Sequence, residues 1–288
     1  MMPSYSIGSV VIPAHNEAAV IRRCLDALLV GFVPGELDVV VACNGCTDGT
    51  GDIVRSSWPT VRVVEVERAS KPAALQAADE VLSVFPRLYL DADVILPATS
   101  ARLIVEHLRV GPALAARPPI SYDVSGADAL VRSYYRARGR MFYLKNTLWA
   151  AAGVYALSAS GRARFGSYPD VIADDLFAGQ WFEPSEIDIV GSAPAIVTVP
   201  RRTRDLFRVL RRRYQGNVEI HSIPDHPKST VRSTLHDLAV TAASGPGAAV
   251  DAATFMGIAA AVRITRLLSP PAGWARDESS REAAAASM

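Results

Sequence analysis

Three stretches of the chain decide its fold: residues 7–17 (IGSVVIPAHNE), 37–50 (LDVVVACNGCTDGT) and 87–93 (RLYLDAD). Each begins with a short apolar run, which is typical of a strand that is buried on both faces of a sheet. Each then passes directly into small, polar or acidic residues. Parallel α/β sheets bind their ligands beyond the carboxyl ends of the strands, so these polar residues are candidates for a binding site.

Segments with helical spacing separate these strands. The apolar residues predict helices over residues 17–29, 48–56 and 72–82, and a further strand over residues 61–66. Strands that alternate with helices in this way predict parallel βαβ units. We therefore expect residues 1–97 to form a Rossmann-like nucleotide-binding half.

Beyond residue 97 the alternation becomes less regular. The patterns predict helices over residues 98–108, 127–144, 201–214 and 235–268, the last with an interruption at 245–247. They predict strands over residues 151–157 and 187–199. The expected organisation is one α/β domain over residues 1–218 with halves 1–97 and 98–218, a helical extension over 219–269, and a disordered tail over 270–288.

Composition excludes several classes of protein. The 288 residues include 30 Lys and Arg against 29 Asp and Glu, a formal net charge of +1, which disfavours a general nucleic-acid binder. The three cysteines, Cys24, Cys43 and Cys46, are too few for a disulfide scaffold and indicate a reducing, cytoplasmic compartment. We expect no export signal, because the first basic residue is Arg22 and no basic segment precedes an apolar one. We expect no transmembrane segment, because the uncharged run of residues 146–161 is too short and too polar.

Asp91 and Asp93 stand at the exit of the fourth strand. Residues i and i+2 of a strand point to the same side, so both carboxylates can converge on one ligand. Carboxylates commonly hold a Mg²⁺ or Mn²⁺ ion that also binds a substrate phosphate. The alternative is a turn with two solvated aspartates.

The polar residues after the first two strands are candidates for nucleotide binding. Asn44 and Asp48 lie among small residues, where a flat base could approach the backbone, and Glu17 could hold ribose hydroxyls. The alternatives are a plain turn and carboxylates that cap helices. Cys43 and Cys46 form a C-x-x-C pair, but no second pair completes a zinc site, and a redox role is disfavoured.

Two features of the second half carry charge. Asp174 and Asp175 precede an apolar segment, and one of them could be a general base or a helix cap. A basic cluster could clamp a diphosphate, or face solvent or anionic lipid; it consists of Arg201, Arg202, Arg204, Arg208, Arg211, Arg212 and Arg213.

The order of these motifs resembles that of family-2 glycosyltransferases of the GT-A fold. The motifs are VVIPAHNEAAVIRRCLDALL, VVVACNGCTDGT, SKPAALQAAD, YLDADV, YPDVIADDL and RRRYQGN, and they span residues 6–217. The resemblance implies an α/β fold with a GT-A type, Rossmann-like, mixed and mostly parallel sheet flanked by helices, followed by a C-terminal helical extension. It implies an inverting enzyme that moves a single sugar from a nucleotide-diphosphate sugar, of UDP or GDP type, to an acceptor hydroxyl, with Mn²⁺ or Mg²⁺ as cofactor.

The resemblance also assigns roles to individual residues. The residues expected to bind the sugar donor are those that the resemblance implies, together with Asn44, which is a candidate because it follows the second strand. They are Pro13, His15, Glu17, Asn44, Asp48, Lys71, Asp91 and Arg213. Asp93, with Asp91, would bind the cation. Asp175 would be the catalytic base, and Asp174 would cap the helix or hold a neighbouring acceptor hydroxyl.

The chain departs from the family pattern at two places. Ser70 replaces the glycine of a Gly-Lys segment, and Leu210 and Tyr214 replace the Gln and Trp of a Gln-x-x-Arg-Trp segment. The second departure disfavours a processive polysaccharide synthase and favours a single transfer.

Other functions remain as alternatives. A sugar-nucleotide pyrophosphorylase-like nucleotidyltransferase needs a glycine-rich loop after the first strand, where this chain has PAHNEA, and a nicotinamide dehydrogenase needs a G-x-G-x-x-G there. A degenerate, non-catalytic nucleotide-sugar-binding module would have lost Asp93 or Asp175, and both are present. The C-terminal third either makes a peripheral contact with a membrane or a partner, or closes the catalytic domain.

Overall fold

The structure, a computed structural model, describes residues 6–141, 153–170, 174–221 and 232–268. The chain divides into two compact units: the first comprises Met1–Ile120 and Ala151–Val197, and the second comprises Ser121–Ala150 and Thr198–Met288. This division differs from the linear one expected from the sequence, because the second unit takes its helices from two separate parts of the chain.

The secondary-structure elements have the following bounds. The strands are β1 (Gly8–Ala14), β2 (Leu37–Asn44), β3 (Arg62–Val66), β4 (Arg87–Leu90), β5 (Val94–Ile95), β6 (Ala115–Arg117), β7 (Ile120–Asp123), β8 (Val154–Leu157), β9 (Ile187–Ile189) and β10 (Ala195–Thr198). The helices are α1 (Ile21–Leu29), α2 (Thr50–Ser57), α3 (Lys71–Val81), α4 (Ala98–Val110), α5 (Ala129–Arg140), α6 (Ala159–Arg162), α7 (Asp174–Gly179), α8 (Thr203–His221), α9 (Arg232–Ala243) and α10 (Pro246–Leu268).

The first unit is built on a seven-stranded sheet with the strand order β3-β2-β1-β4-β8-β6-β9. Strands β1 to β4 are parallel neighbours, β8 is antiparallel to both β4 and β6, and β9 is parallel to β6. Val10 of β1 stands beside Val39 of β2 and Leu88 of β4, so the carboxyl ends of these strands lie at one edge. This confirms the expected mixed, mostly parallel sheet flanked by helices.

The core of the first unit forms where apolar helix faces cover the sheet. Every residue of β1 is buried, as a strand covered on both faces requires. Helix α1 buries Ile21, Cys24, Leu25 and Leu28, whose spacing of three and four places them on one helix face.

Several boundaries differ from those predicted. Helix α1 begins at Ile21 rather than at residue 17, because the Val20 and Ile21 amides donate to the Glu17 carbonyl in a turn. Residues 187–199 form two strands rather than one, with Gly191 between them at φ 149°. Strands β5, β6 and β7 were not predicted because runs of two to four residues are too short to show a period. Residues 142–144 and 151–152 of the expected elements, and the expected disordered tail 270–288, lie outside the described residues.

The described part of the second unit is mostly helical, and α10 packs against α5, α8 and α9. The rings of Tyr134 and Phe255 stack with their centroids 4.6 Å apart. The buried Asp251 carboxylate of α10 accepts hydrogen bonds from Ser133 Oγ at 2.7 Å and from the guanidinium groups of Arg136 and Arg140 at 2.7 and 2.9 Å. These bonds hold α10 on α5.

Within the described residues, one segment is long and apolar enough to cross a membrane by length and composition alone. It is Pro246–Thr265, with a mean hydropathy of 1.4 in its most apolar window, 39% of which is buried. Core helices of globular proteins meet the same criteria, so the expectation of no transmembrane segment stays a prediction.

Candidate active site

Hydrogen bonds join the loops that follow β1 and β2. The Glu17 amide donates to Thr50 Oγ1, and the Ala18 amide donates to Asp48 Oδ2, both at 2.9 Å. Asn16 has a φ of 53°, a left-handed conformation that asparagine tolerates better than most residues. The two predicted nucleotide-binding segments therefore form one continuous rim at the carboxyl edge of the sheet.

Asp48 is exposed on this rim and is oriented by its own loop. Its Oδ1 atom accepts hydrogen bonds from the Thr50 amide at 3.0 Å and from Thr50 Oγ1 at 2.5 Å. Partial burial acts to raise the pKa of Asp48, but these bonds and the one from Ala18 outweigh it and hold the pKa below its usual range. The carboxylate is therefore ionised and fixed in direction.

His15 and Asn44 connect the ends of β1 and β2. The Asn44 side-chain amide donates to the Ala14 carbonyl at 2.9 Å, and His15 Nδ1 donates to the Asn44 carbonyl at 2.5 Å. A neutral His15 that donates through Nδ1 has Nε2 as an acceptor, so this contact selects one tautomer.

Lys71 links the N-terminal half of the sheet to α7. It is the first residue of α3, whose N-terminus is capped by Ser70 Oγ. The Lys71 ammonium lies 2.7 Å from Asp91 Oδ1 and 2.9 Å from Asp174 Oδ1. Asp91 follows β4, and Asp174 begins α7. One half-buried cation therefore joins two acidic segments that are far apart in sequence.

Burial and oppositely charged neighbours shift the pKa values of Lys71 and Asp174 in opposite directions. Burial alone would lower the pKa of Lys71, but the carboxylates of Asp174 and Asp91 raise it well above its usual range. Burial raises the pKa of Asp174 to about 6; Lys71 opposes that rise, and Asp175 and Asp91 add to it. Lys71 is thus charged at every physiological pH, and its ammonium group favours the charged form of Asp174 against the effect of burial.

A pocket opens beside this ion pair. Asp175 contributes to its wall, and Asp175 Oδ1 accepts the Leu176 amide at 2.8 Å, which directs the carboxylate at the start of α7. The lining residues are Pro13, Lys71, Leu75, Tyr89, Leu90, Asp91, Gly153, Tyr155, Asp174 and Asp175. The structure therefore brings Pro13, Lys71, Asp91 and both predicted catalytic aspartates to one pocket.

Gly153 and Tyr155 were not predicted as site residues. Gly153 has a φ of 67°, and a Cβ atom placed on it would lie 2.5 Å from Asp91 Oδ2. Its carbonyl also accepts the Asp91 amide at 2.7 Å. Tyr155 stacks on Tyr89 with centroids 4.8 Å apart and forms the pocket wall beneath the aspartates. The available signal was a lone glycine inside the strand predicted over residues 151–157, because a glycine within a strand often marks close approach of another group.

A cation at Asp91 and Asp93 would need ligands from the substrate. In the part of the chain that the structure describes, no three His, Cys, Asp or Glu side chains are grouped to hold a metal by themselves. Asp91 Oδ1 is bonded to Lys71, and Asp93 is half-buried in the turn after β4. One or two carboxylates fit an ion that takes its remaining ligands from phosphates and water, which is how Mg²⁺ is usually bound.

Arg213 lies in the second unit, on α8. Burial raises the pKa of the Tyr135 phenol, and the nearby Arg213 guanidinium opposes that rise. The proposed contact of Arg213 with the donor therefore stays a prediction.

Residues 9–165 match the family described as glycosyl transferase family 2. No curated protein sequence matches the chain.

Solved structures share the fold. The mannosyltransferase PcManGT from Pyrobaculum calidifontis, in complex with GDP-Man and Mn²⁺, is 22% identical with a TM-score of 0.61, and the match covers 99% of this chain and 87% of that one. Glucosyl-3-phosphoglycerate synthase from Mycobacterium tuberculosis, in complex with Mn²⁺, uridine diphosphate and glucosyl-3-phosphoglycerate, is 22% identical with a TM-score of 0.52, and the match covers 80% and 88%. At these identities the likeness establishes the fold.

Proposed function

The chain belongs to glycosyl transferase family 2, and we propose that it is an inverting, metal-dependent enzyme that transfers one sugar from a nucleotide-diphosphate sugar to an acceptor hydroxyl. The observation that carries the proposal is the pocket at the carboxyl edge of the sheet. There Lys71 joins Asp91 to Asp174, and Asp175 lies on the same wall.

The donor nucleoside binds the rim formed by the loops after β1 and β2. Pro13, His15, Glu17 and Asn44 shape this rim, and the ionised Asp48 faces the base. Asp48 Oδ1 already accepts two hydrogen bonds and Oδ2 accepts one from the described residues. A carboxylate has about four acceptor positions, so one remains, on Oδ2.

A single remaining acceptor position on Asp48 favours uracil over guanine as the base of the donor. Uracil presents one N–H, at N3, whereas guanine presents two adjacent N–H groups that pair best with both oxygens of a carboxylate. Asp48 can accept a hydrogen bond from the single N3–H of uracil without losing a bond to Thr50 or Ala18. We therefore place UDP-sugars ahead of GDP-sugars as donors.

A divalent cation, Mn²⁺ or Mg²⁺, would be held by Asp93 together with the donor diphosphate, and Asp91 would stand beside it. When bound, the cation supplies stabilisation of the negative charge that develops on the leaving diphosphate. Lys71 places a second positive charge at the same edge and keeps Asp91 in its direction.

Asp175 takes the proton from the acceptor hydroxyl as that oxygen attacks the anomeric carbon. The attack comes from the face opposite the leaving diphosphate, so the configuration of the sugar inverts. Asp174 is 4% exposed and bonded to Lys71, which suits a residue that fixes the start of α7 rather than one that exchanges protons with substrate. Asp175 is the less buried of the two.

The single transfer and the cytoplasmic location are proposed from the sequence. Leu210 and Tyr214 replace the residues expected of a processive synthase, so a single transfer is favoured. The three cysteines are all free thiols, which suits the reducing conditions of the cytoplasm.

Substitution of the two aspartates tests the proposal. Asp175→Asn keeps the shape of the side chain and removes the proton acceptor, so sugar transfer should fall by about a hundredfold to ten-thousandfold. Nucleotide affinity, measured by calorimetry on the same preparation, should stay unchanged. Asp174→Asn is the matched control and should be milder. Near-normal transfer by Asp175→Asn, or a larger loss in Asp174→Asn, would contradict the assignment.

A further inference from the structure

The two compact units carry net charges of opposite sign. The first has 12 Lys and Arg against 19 Asp and Glu, a net charge of −7, and the second has 18 against 10, a net charge of +8. The two charges nearly cancel, which is why the whole chain has a net charge of only +1. Such asymmetry is typical of chains that use the basic part to bind an anionic surface. The second unit is therefore expected to bind an anionic partner.

Helix α10 has one buried face and one exposed face without charge. The buried face consists of Asp251, Ala252, Phe255, Ile258, Ala259 and Val262. At about 100° per residue, the opposite face consists of Pro246, Val250, Ala253, Met256, Gly257, Ala260 and Ile264, here called the α10 face. Helix faces that meet water normally carry charged residues.

The large side chains of the α10 face are open to solvent. Val250 is 63% exposed, Met256 47% and Ile264 57%. Helix α9, which packs against α10, also exposes Leu235 and Val240, at 63% and 58%. Large apolar side chains exposed together on one uncharged helix face, as on α10, indicate a surface that is covered in use.

Arginines lie near both ends of α10. The Arg136 and Arg140 side chains bind Asp251, the neighbour of Val250, and remain 51% and 44% exposed. Near the other end, Arg263 is exposed and its guanidinium lies 5.2 Å from the centroid of the Tyr214 ring. Exposed apolar side chains that can enter the headgroup region, together with arginines that attract anionic lipid, are the combination that binds a protein surface to a membrane interface.

We propose that the second unit docks through the α10 face on the surface of an anionic lipid bilayer. Val250, Met256 and Ile264 enter the boundary between headgroups and acyl chains, and the arginines bind lipid phosphates. Nucleic acid would engage the arginines but leave the apolar side chains in water. The buried Asp251 and the packed face of α10 favour a helix that lies on the bilayer over one that crosses it.

Co-sedimentation of the full chain with vesicles tests the proposal. The vesicles contain phosphatidylcholine alone, or phosphatidylcholine and phosphatidylglycerol in equal parts. We expect binding only to the anionic vesicles at about 0.1 M salt and release at about 1 M, where charges are screened within about 3 Å. No binding to anionic vesicles at low salt overturns the proposal.

A double variant, Met256→Glu with Ile264→Glu, tests whether the α10 face makes the contact. Its affinity for anionic vesicles should fall by about tenfold or more, because two apolar side chains lose their burial. Leu103→Glu is the matched control: Leu103 is an exposed residue of α4 in the first unit, and its replacement should leave vesicle binding unchanged. Circular dichroism checks that both variants are folded.

Three results would overturn the assignment. The first is equal vesicle binding by the double variant and the wild type. The second is a dimer in the absence of lipid that the double variant dissociates, which would make a second copy the partner. The third is equally tight binding of single-stranded RNA that the double variant retains, which would make the basic unit a nucleic-acid surface.

Discussion

Replacement of Lys71 by methionine removes the ammonium group between Asp91 and Asp174 and keeps a side chain of similar length. The Asp174 side chain is only 4% exposed, so its charge would lose its partner where water hardly reaches. Leaving a buried charge unpaired costs about 3–5 kcal/mol, and we expect about 3 kcal/mol because Lys71 and Asp91 are partly exposed. For a chain of this size, that lowers Tm by roughly 6–12 °C.

The stability that Lys71→Met loses should increase as the pH rises. Burial raises the pKa of Asp174 from 3.8 to about 6 with Lys71 present, and removal of Lys71 raises it further. A carboxyl with a raised pKa in the folded state adds stability at low pH and loses that contribution as the pH rises through the folded-state pKa. The difference between variant and wild type should therefore be smallest at about pH 5 and largest at about pH 8.

Denaturant unfolding at these two pH values measures the effect, with a double variant as the control. Lys71→Met combined with Asp174→Asn removes both charges of the buried pair and should recover part of the stability at the higher pH. The reasoning is refuted if Lys71→Met is equally destabilised at both pH values, or if the double variant is no more stable than Lys71→Met.

Two further predictions concern the neighbours of Asp91. Gly153→Ala places its Cβ 2.5 Å from Asp91 Oδ2 at a φ of 67°, so stability should fall by about 1 kcal/mol or more and transfer should weaken. Gly139→Ala has open space around the new methyl group and lies in helix α5, where Ala is favoured over Gly, so it should lower neither Tm nor turnover; an equal loss in the two variants would contradict the reasoning. Asp93→Asn should raise the Mn²⁺ concentration needed for half-maximal transfer by at least about tenfold without changing nucleotide binding in EDTA, and unaltered Mn²⁺ dependence would exclude the metal role.

The parallel core of the fold could be predicted from the sequence. The apolar runs of β1 and β2, and the spacing of Ile21, Leu25 and Leu28, are local patterns that burial on a sheet imposes. The short strands β5, β6 and β7 could not be predicted, because pairing with distant strands rather than local pattern defines them. The membership of the two compact units is likewise not readable from local patterns, since it depends on which distant helices share a core.

The site could be predicted in part. Polar residues at the ends of parallel strands are recognisable because the topology brings those ends to one edge. The bond from Lys71 to Asp174 was not predictable from spacing, because it joins residues about a hundred positions apart through side-chain direction. The role of Gly153 was missed for a similar reason: its missing Cβ matters only because Asp91 packs against it.

Calorimetric titration of the full chain with UDP and with GDP, each in Mn²⁺ and in EDTA, tests the proposed function most directly. We predict that UDP binds more tightly in Mn²⁺ than in EDTA, because Asp93 and the diphosphate share the cation. We also predict that UDP binds at least about tenfold more tightly than GDP, because Asp48 has one acceptor position left for the base. Tighter binding of GDP would contradict the choice of base, equal affinities in Mn²⁺ and EDTA would contradict the metal role, and no binding of either nucleotide would contradict the donor site itself.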